Sequence, residues 1–576
     1  MNNQEISDIL NRISEMLEIK GENIFKVKAY QKASIIISSL TKDINSLVVS
    51  GEIDNIDGIG KGIAGKITEL LNKGKSSLYE ELKKEIPQEL LSMLLIPGIG
   101  PKSVHRIWKE LGITTKDQLR DAVKNGILSN LKGFGKKSEE NILKGLDQVE
   151  RYNATIPLGR ALPIAEEIIK DLNCLSTIGK LSIAGSIRRM KETVGDIDII
   201  ATSHEPVKVI DAFSTLPYFN EILMKGETKC SVLTKNGIHV DLRVVSESEF
   251  GSALYYFTGS KEHNIEVRKL ALNKNLKINE YGVFRNSDNE RIAGNTEEEI
   301  FKSIDLSYIP PEIRENRGEI ELAKNNSLPK LVELSEIKGD LHIHTNKSDG
   351  LNSIEEIHKY THKLGYEYIA ITDHSSVMGI TGGMKHEDFY KQFKIIDFIN
   401  DKGIKPFILK GVEVDIKSDK SLNLTDEVLS SFDVVIASIH SGFKDSEDKM
   451  TGRILSAVYN RYVTIIGHPT GRKIAERESY NINFEKILEA SKEIGTILEL
   501  NSFWDRLDLG DINCRKAKEK GVMVTISTDS HSIEHFSMMK YGLATARRGW
   551  LENNNVLNTF NLKELLARIG KKRRNK

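Results

Sequence analysis

The sequence predicts a multidomain protein: a helical N-terminal region, a mixed α+β middle, and a C-terminal α/β unit of parallel strands. Three observations predict it. Apolar residues before about residue 150 recur at helical spacing, as in Ile6, Ile9, Leu10, Ile13 and Leu17. From about 155 to 310, short β-branched runs alternate with helical segments. From Gly339 onward, apolar strands (YEYIAITDH, KPFILKGVEVDI, DVVIASIH, VTIIGHP, GTILELN, VMVTISTD) alternate with amphipathic helices, the rhythm of a parallel barrel or an open parallel sheet.

Bulk properties bound the answer. At 576 residues the chain is too long for one core. Lys+Arg and Asp+Glu are equal at 82 each, so net charge announces no nucleic-acid partner. Cys174, Cys230 and Cys514 are scattered and form no CxxC pair, which points to a reducing cytoplasm and away from a disulfide framework. MNNQEISDIL has neither a basic nor an apolar leader region, and no uninterrupted apolar run approaches membrane length. A cytoplasmic protein with no membrane partner is expected.

In the helical region one motif recurs. Ile56-Asp57-Gly58-Ile59-Gly60-Lys61 is echoed by Ile96-Pro97-Gly98-Ile99-Gly100-Pro101-Lys102, and more weakly by Leu131-Lys132-Gly133-Phe134-Gly135-Lys136. Each places a Gly-x-Gly turn between two helices and resembles the helix-hairpin-helix. There the glycines let the backbone approach a DNA phosphate and the next helix N-terminus adds its dipole. Gly58, Gly60, Gly98, Gly100 and Lys102 are therefore candidate DNA contacts.

In the α+β region, Asp196 and Asp198 stand two apart in the run Gly195-Asp196-Ile197-Asp198-Ile199-Ile200. Period-2 geometry puts both carboxylates on one strand face, and like charges so close call for a cation. Asp241, in the alternating run Ile238–Val245, is expected on an adjacent strand facing the same way. Upstream, Gly185-Ser186-Ile187-Arg188-Arg189 offers backbone N–H groups, a hydroxyl and a charged fork to a phosphate. Carboxylates facing a phosphate cradle suggest nucleotidyl transfer aided by two divalent cations.

These motifs, in order over roughly residues 1 to 312, resemble the family X DNA polymerases, which are DNA polymerase beta-like. The resemblance implies an α+β palm and thumb, Mg²⁺ or Mn²⁺ on Asp196, Asp198 and Asp241, and dNTP and gapped or primer-template DNA as substrates. It makes Gly185, Ser186, Arg189 and Gly195 nucleotide-binding. It also makes Tyr256-Phe257-Thr258-Gly259-Ser260 the motif that holds the incoming sugar, with Tyr256, Phe257 and Gly259 in the site. Asn264 falls at the minor-groove contact to the incoming base and Arg268 at the template strand. Arg243 and Glu280 fall where the family switches an ion pair during closure. His239 and Lys261 depart from the polymerase beta pattern, where arginine and aspartate stand.

At the N-terminus Lys66 matches the Schiff-base lysine of lyase-active members and Lys26 a supporting basic residue, while Gly62 replaces another lysine. The plainer reading, contact with a 5′-phosphate, is favoured for Lys66. Sodium or potassium at the hairpins is also compatible with the resemblance.

Ten of the fourteen histidines follow residue 340, and several of them sit at strand ends. His342 and His344 alternate, with Asp349 just beyond. His374, Glu413, His440 and His468 close successive strands, and Asp529 and His531 close the last. Ligands at the C-terminal ends of parallel strands converge on one mouth, and imidazoles mixed with carboxylates suit metal-assisted phosphoester hydrolysis. This half resembles the polymerase-and-histidinol-phosphatase (PHP) domain, which implies a distorted (β/α)7 barrel holding two or three zinc, manganese or iron ions on those nine residues. Arg472, in HPTGR, is a candidate phosphate contact. His358 and His362 are expected on a solvated helix face; His386 and His535 have no assigned role.

The expected organisation is 1–90 and 91–152 as two helix-hairpin-helix regions, 153–247 as palm, 248–314 as the nucleotide- and template-binding subdomain, 315–338 as a linker and 339–572 as the PHP domain. Together these imply a monomeric bacterial- or archaeal-type family X polymerase for short-gap repair, with a 3′→5′ exonuclease. Abasic-site endonuclease and 3′-phosphatase action are also allowed. The alternative is a PHP nuclease with a DNA-gripping but inactive polymerase module.

Overall fold

A computed structural model describes residues 3–38, 44–56, 58–96, 99–131, 134–153, 155–375 and 383–574. Residues up to 153 form one compact unit and those from 155 onward a second. No helix among the described residues is long and apolar enough to cross a membrane.

The first unit is all helical. Helices α1 (Asn3–Lys20) and α2 (Ile24–Ser38) pair, and Ile6, Leu10, Ile13 and Leu17 of α1 are wholly buried, as their spacing requires. Helices α3 (Lys61–Lys73), α4 (Pro101–Leu111) and α5 (Lys136–Asn153) each follow one copy of the repeat. The three turns close alike: Ile59 N–H donates to Ile56, Ile99 to Ile96 and Phe134 to Leu131, each at 3.0 Å. Ile59, Ile99 and Phe134 are buried plugs. Gly58 has φ +90°, and a Cβ there would come within 2.6 Å of Lys32 and Ile36 side-chain atoms, so glycine is required. Gly98 lies outside the described residues. One hydrophobic core runs from Ile6 to Leu146, across the boundary expected at 90/91.

The second unit opens with a small antiparallel pair, β1 (Ile156–Pro157) and β3 (Thr193–Val194). The palm sheet holds β2 (Ile178–Ile183), β4 (Ile197–Ser203), β5 (Phe219–Lys225), β6 (Lys229–Thr234) and β7 (His239–Val245) in the order β2-β4-β7-β6-β5. The parallel β4–β7 pair aligns Asp198 with Asp241. Helix α6 (Gly185–Arg188) follows β2, so Gly185 and Ser186 open a single helical turn. Helices α7 (Phe250–Thr258) and α8 (Lys261–Asn273) and the antiparallel sheet β8 (Leu276–Asn279), β9 (Gly282–Arg285), β10 (Arg291–Ala293) follow.

The last sheet is parallel and strictly sequential: β11 (Gly339–Asp340), β12 (Tyr368–Ile371), β13 (Phe407–Asp415), β14 (Val434–Ser438), β15 (Ile465–Ile466), β16 (Ile497–Asn501) and β17 (Val524–Ser527). A parallel bridge between Ile343 and Ser530, just beyond β11 and β17, brings the two edges together into a nearly closed seven-stranded barrel. The charged C-terminal run is helical as far as Arg574.

The span expected as a linker, together with the residues just before it, is locked down. Arg314 and Glu319 are fully buried, Arg314 against Glu297 (2.6 Å) and Glu319 against His263 (2.7 Å). Glu312 pairs with Arg547 (2.7 Å), Arg317 with Asp511 (2.9 Å), and Val332 N–H donates to Leu551 (3.0 Å). The polarity that suggested a solvated tether serves ion pairs joining thumb and barrel, since buried charges persist only when paired. Barrel residues also enter the neighbouring cores: Leu507 and Tyr541 that of the palm, Trp550 that of the thumb, where Leu331 joins it.

Candidate active sites

In the palm, a cleft of about 380 Å³ is lined by Gly185, Ser186, Arg189, Asp196, Asp198, Tyr256, Phe257, Gly259, Lys261, Asn264 and Arg268. All but Lys261 are residues that the sequence motifs and the family resemblance single out for nucleotide, metal or template binding, and the fold gathers them from β4 and the residues just before it, from α6 and from α7 and α8. Gly195 and Asp241 lie outside that lining, although Asp241 is the cross-strand neighbour of Asp198. Burial, with Asp196 and Asp241 adding to it, pushes the Asp198 carboxyl up to about 7; burial and Asp241 also raise Asp196. Lys229 lies 3.4 Å from Asp241. Two carboxylates whose proton affinity is raised by burial and by neighbouring carboxylates, with Asp241 beside Asp198 on the next strand, are a fit receptor for divalent cations.

Gly185 explains the close approach of the α6 turn to Asp198. Its φ is +62°, and a Cβ would stand 2.3 Å from Asp198 Oδ2. Arg189 lines the cleft but is mostly buried: its Nε donates to Glu315 (3.1 Å) and its Nη1 to the Thr258 carbonyl. Asn264 Nδ2 donates to the Tyr256 carbonyl (2.8 Å), tying α8 to the backbone of α7, while Asn264 Oδ1 is buried without a partner. Arg243 stacks over Phe257 at 4.3 Å; among the described residues it makes no ion pair with Glu280, so the expected switch pair is not formed here. Sequence reasoning missed the roles of Arg188 and Glu297. Arg188 donates twice to buried Glu297 (2.8 and 2.6 Å) and anchors the helical turn from behind.

At the barrel mouth the nine expected residues come together. Ligand atoms of His344, Asp349, His374 and His531 lie within 4.8 Å of one another, as do those of His342, His344 and Asp529, and of His374, Glu413 and His440. His468 Nε2 is 3.3 Å from Glu413 Oε1. Buried His342 Nε2, both nitrogens of His344, Glu413 Oε1 and His468 Nδ1 have no hydrogen-bond partner, the mark of groups aimed at a cation. His468 (φ 27°) and Asp529 (φ 52°) are held in left-handed backbone, strain that clusters at functional sites.

A supporting layer was not read from the sequence. Glu499 accepts from His342 Nδ1 (2.7 Å) and from His468 N–H (2.7 Å). Asp415 bonds His440 Nδ1 (2.6 Å), and Asn501 Nδ2 donates to Asp529 (3.0 Å). Such partners fix imidazole tautomer and orientation. The signal was period 2: Asp415 follows Glu413 by two, and Glu499 precedes Asn501 by two.

One side chain differs from expectation, while His362 is exposed and His358 half-buried on their helix, apart from the ligand set. Arg472 is no open phosphate contact: it bonds Glu192 of the palm (2.7 Å) and the carbonyls of Arg506 and Leu507. His358 and His362 bond the carbonyls of Pro406 (3.1 Å) and Lys405 (2.7 Å), tying their helix to that loop. Of the two histidines without an assigned role, His535 accepts at Nδ1 from His531 N–H (3.2 Å) and packs its ring on Phe503, and His386 packs on Tyr390.

A polymerase palm and thumb joined to a metal-gathering barrel define a DNA polymerase that carries a phosphoesterase domain. Residues 253–315 match the DNA polymerase beta thumb, 1–76 a helix-hairpin-helix domain, 50–111 and 88–148 a SAM-like helix-hairpin-helix tandem, and 340–503 the PHP domain. A DNA polymerase/3′-5′ exonuclease PolX from Bacillus subtilis (strain 168) is 41% identical over 569 residues, covering 98% of this chain and 99% of its own. A probable phosphatase from Thermoanaerobacter sp. (strain X514) is 34% identical over 231 residues, 38% of this chain and 89% of its own. DNA polymerase lambda from Rattus norvegicus is 25% identical over 343 residues, 54% of this chain and 56% of its own. This chain belongs to the PolX-type family X DNA polymerases.

Proposed function

We propose that the enzyme fills short gaps during base excision repair and trims 3′ ends with its barrel. The observation that carries this reading is the coexistence of two metal-ready clusters in one chain: the Asp196, Asp198 and Asp241 carboxylates, and the nine-residue mouth with its orphaned imidazoles. The aspartates would hold Mg²⁺ or Mn²⁺; the mouth would hold two or three zinc, manganese or iron ions. When bound, such cations supply charge neutralisation at phosphate oxygens and acidify a hydroxyl or water.

The chain's own groups do the positioning. The Gly185–Ser186 backbone and Arg189 cradle the triphosphate. Tyr256 and Phe257 face the sugar, Asn264 the incoming base and Arg268 the template. In the first unit the hairpins at Gly58–Gly60 and Gly98–Gly100, with Lys26 and Lys102, grip the DNA backbone. Lys66 is taken as a 5′-phosphate contact: its Nζ donates to Ser77 Oγ (2.7 Å) and pairs with Glu69 (3.0 Å), a bridge that must break before the amine could attack a sugar. A cytoplasmic monomer is proposed, and the three free cysteines suit that compartment. The likeness to a probable phosphatase supports 3′-phosphatase action at the mouth as a second reading.

The test is single-turnover extension on a one-nucleotide gap bearing a 5′-phosphate and on an open primer-template. Gap filling predicts a higher kcat/KM for the phosphorylated gap. Equal values would contradict the repair reading.

A further inference from the structure

The barrel grips the polymerase site at the loop between the phosphate turn and the first aspartate. Arg548 ends helix α9 (Met539–Arg548) of the barrel and is 5% exposed. Its Nη1 donates to the Arg189 carbonyl (2.8 Å) and to Glu315 Oε1 (2.9 Å), and its Nη2 to Asp511 Oδ2 (3.0 Å). The same Glu315 Oε1 accepts from Arg189 Nε (3.1 Å). Three residues on, Glu192 is held by Arg472, also from the barrel (2.7 Å). Residues 189–192 are thus clamped at both ends by barrel arginines, just upstream of β3 and Asp196.

We propose that Arg548 is a positioning residue for nucleotide binding in the polymerase site, acting through Glu315 and the Arg189 backbone. The proposal rests on Arg189 being a triphosphate contact. Its physical basis is the sharing of one carboxylate oxygen. Burial alone would raise the Glu315 carboxyl, yet Arg548 and Arg189 together hold it below the usual carboxylate range, so it is an anion serving two cations. With Arg548 present, Glu315 orients Arg189 without fully neutralising it. Nη2 of Arg189 carries no hydrogen bond among the described residues and is left for the cleft that Arg189 lines. Without Arg548, Glu315 becomes the undivided partner of Arg189, and the loop loses its backbone anchor. Both changes weaken the grip on a polyanion.

The test uses the full chain with Arg548→Met, Glu315→Gln and Arg189→Ala. KM for dNTP and kcat would be measured on a gapped duplex, with DNA affinity and 3′-end hydrolysis measured on the same preparations. Arg548→Met is expected to raise the dNTP KM about tenfold with hydrolysis and DNA affinity within twofold of wild type. A general folding defect would instead lower kcat and hydrolysis together and leave KM alone, and that result overturns the proposal. Arg548→Lys, which keeps a cation near Glu315, should restore part of the KM. Should Arg548→Met not fold, Glu315→Gln reads the same chain from the polymerase side and must also raise KM. An unchanged KM in both Arg548→Met and Glu315→Gln, beside a raised KM in Arg189→Ala, overturns the proposal alone. An unchanged KM in Arg189→Ala overturns the reading of Arg189 and the proposal with it.

Discussion

Substituting Glu297 by Gln should loosen the polymerase site from behind. Glu297, 5% exposed, accepts two bonds from Arg188 and one from Arg314, which is itself fully buried. Burial alone would raise its carboxyl, but the two guanidiniums bring it from 4.5 down to about 2. At about 1.4 kcal/mol per pH unit, that difference corresponds to about 3 kcal/mol of stability at neutral pH. In a unit of about 400 residues, melting entropy near 2.1 cal/mol/K per residue converts this to a loss of about 3–4 °C in Tm. The carboxyl is depressed, so the stabilisation is present above pH 4.5 and lost as pH falls through about 2. The Tm gap between wild type and variant should therefore stay constant from about pH 6 to 8 and narrow below about pH 4.5. Because Arg188 backs the turn that carries Arg189, the dNTP KM should also rise, about tenfold. Calorimetric melting across pH and steady-state extension give both readouts. A variant melting within about 1 °C of wild type at neutral pH, with an unchanged KM, would refute the reasoning.

Two further substitutions follow from the geometry. Gly185→Ala sets a Cβ 2.3 Å from Asp198 Oδ2 in left-handed backbone, so primer extension should fall about a hundredfold while 3′-end hydrolysis holds; near-normal extension would contradict the close approach. Glu499→Gln removes the anion that orients His342 and His468, so metal content by mass spectrometry and hydrolysis should fall about 10–100-fold, with extension unchanged; full metal content would contradict the orienting role.

Much of the candidate chemistry was legible because strands advertise themselves at period 2. Asp196 and Asp198, His342 and His344, and the residues ending each barrel strand all follow from local spacing. The repeated Ile59, Ile99 and Phe134 plugs were foreshadowed by the Gly-x-Gly echoes. What was hidden depends on partners distant in sequence. Arg548 meets Arg189 across 359 positions, and Arg472 meets Glu192 across 280. A charged stretch such as 312–338 reads as solvated until its partners are folded against it. Arg472 shows the same limit from the other side: beside HP, an arginine suggests a phosphate, but the fold commits it to a palm carboxylate. Glu499 and Asp415 sat in plain alternation, yet that each meets the Nδ1 of a histidine from another strand, His342 and His440, is decided by the fold.

If one chain carries two independent sites, one that builds DNA and one that trims it, single substitutions should separate them. The most direct measurement places wild type, Asp196→Ala and His342→Ala side by side on a gapped duplex with labelled primer, with dNTPs and without. Asp196→Ala is predicted to lose extension and keep 3′-end hydrolysis, and His342→Ala to do the reverse. Loss of both activities in either variant, or extension surviving in Asp196→Ala, would contradict two independent sites.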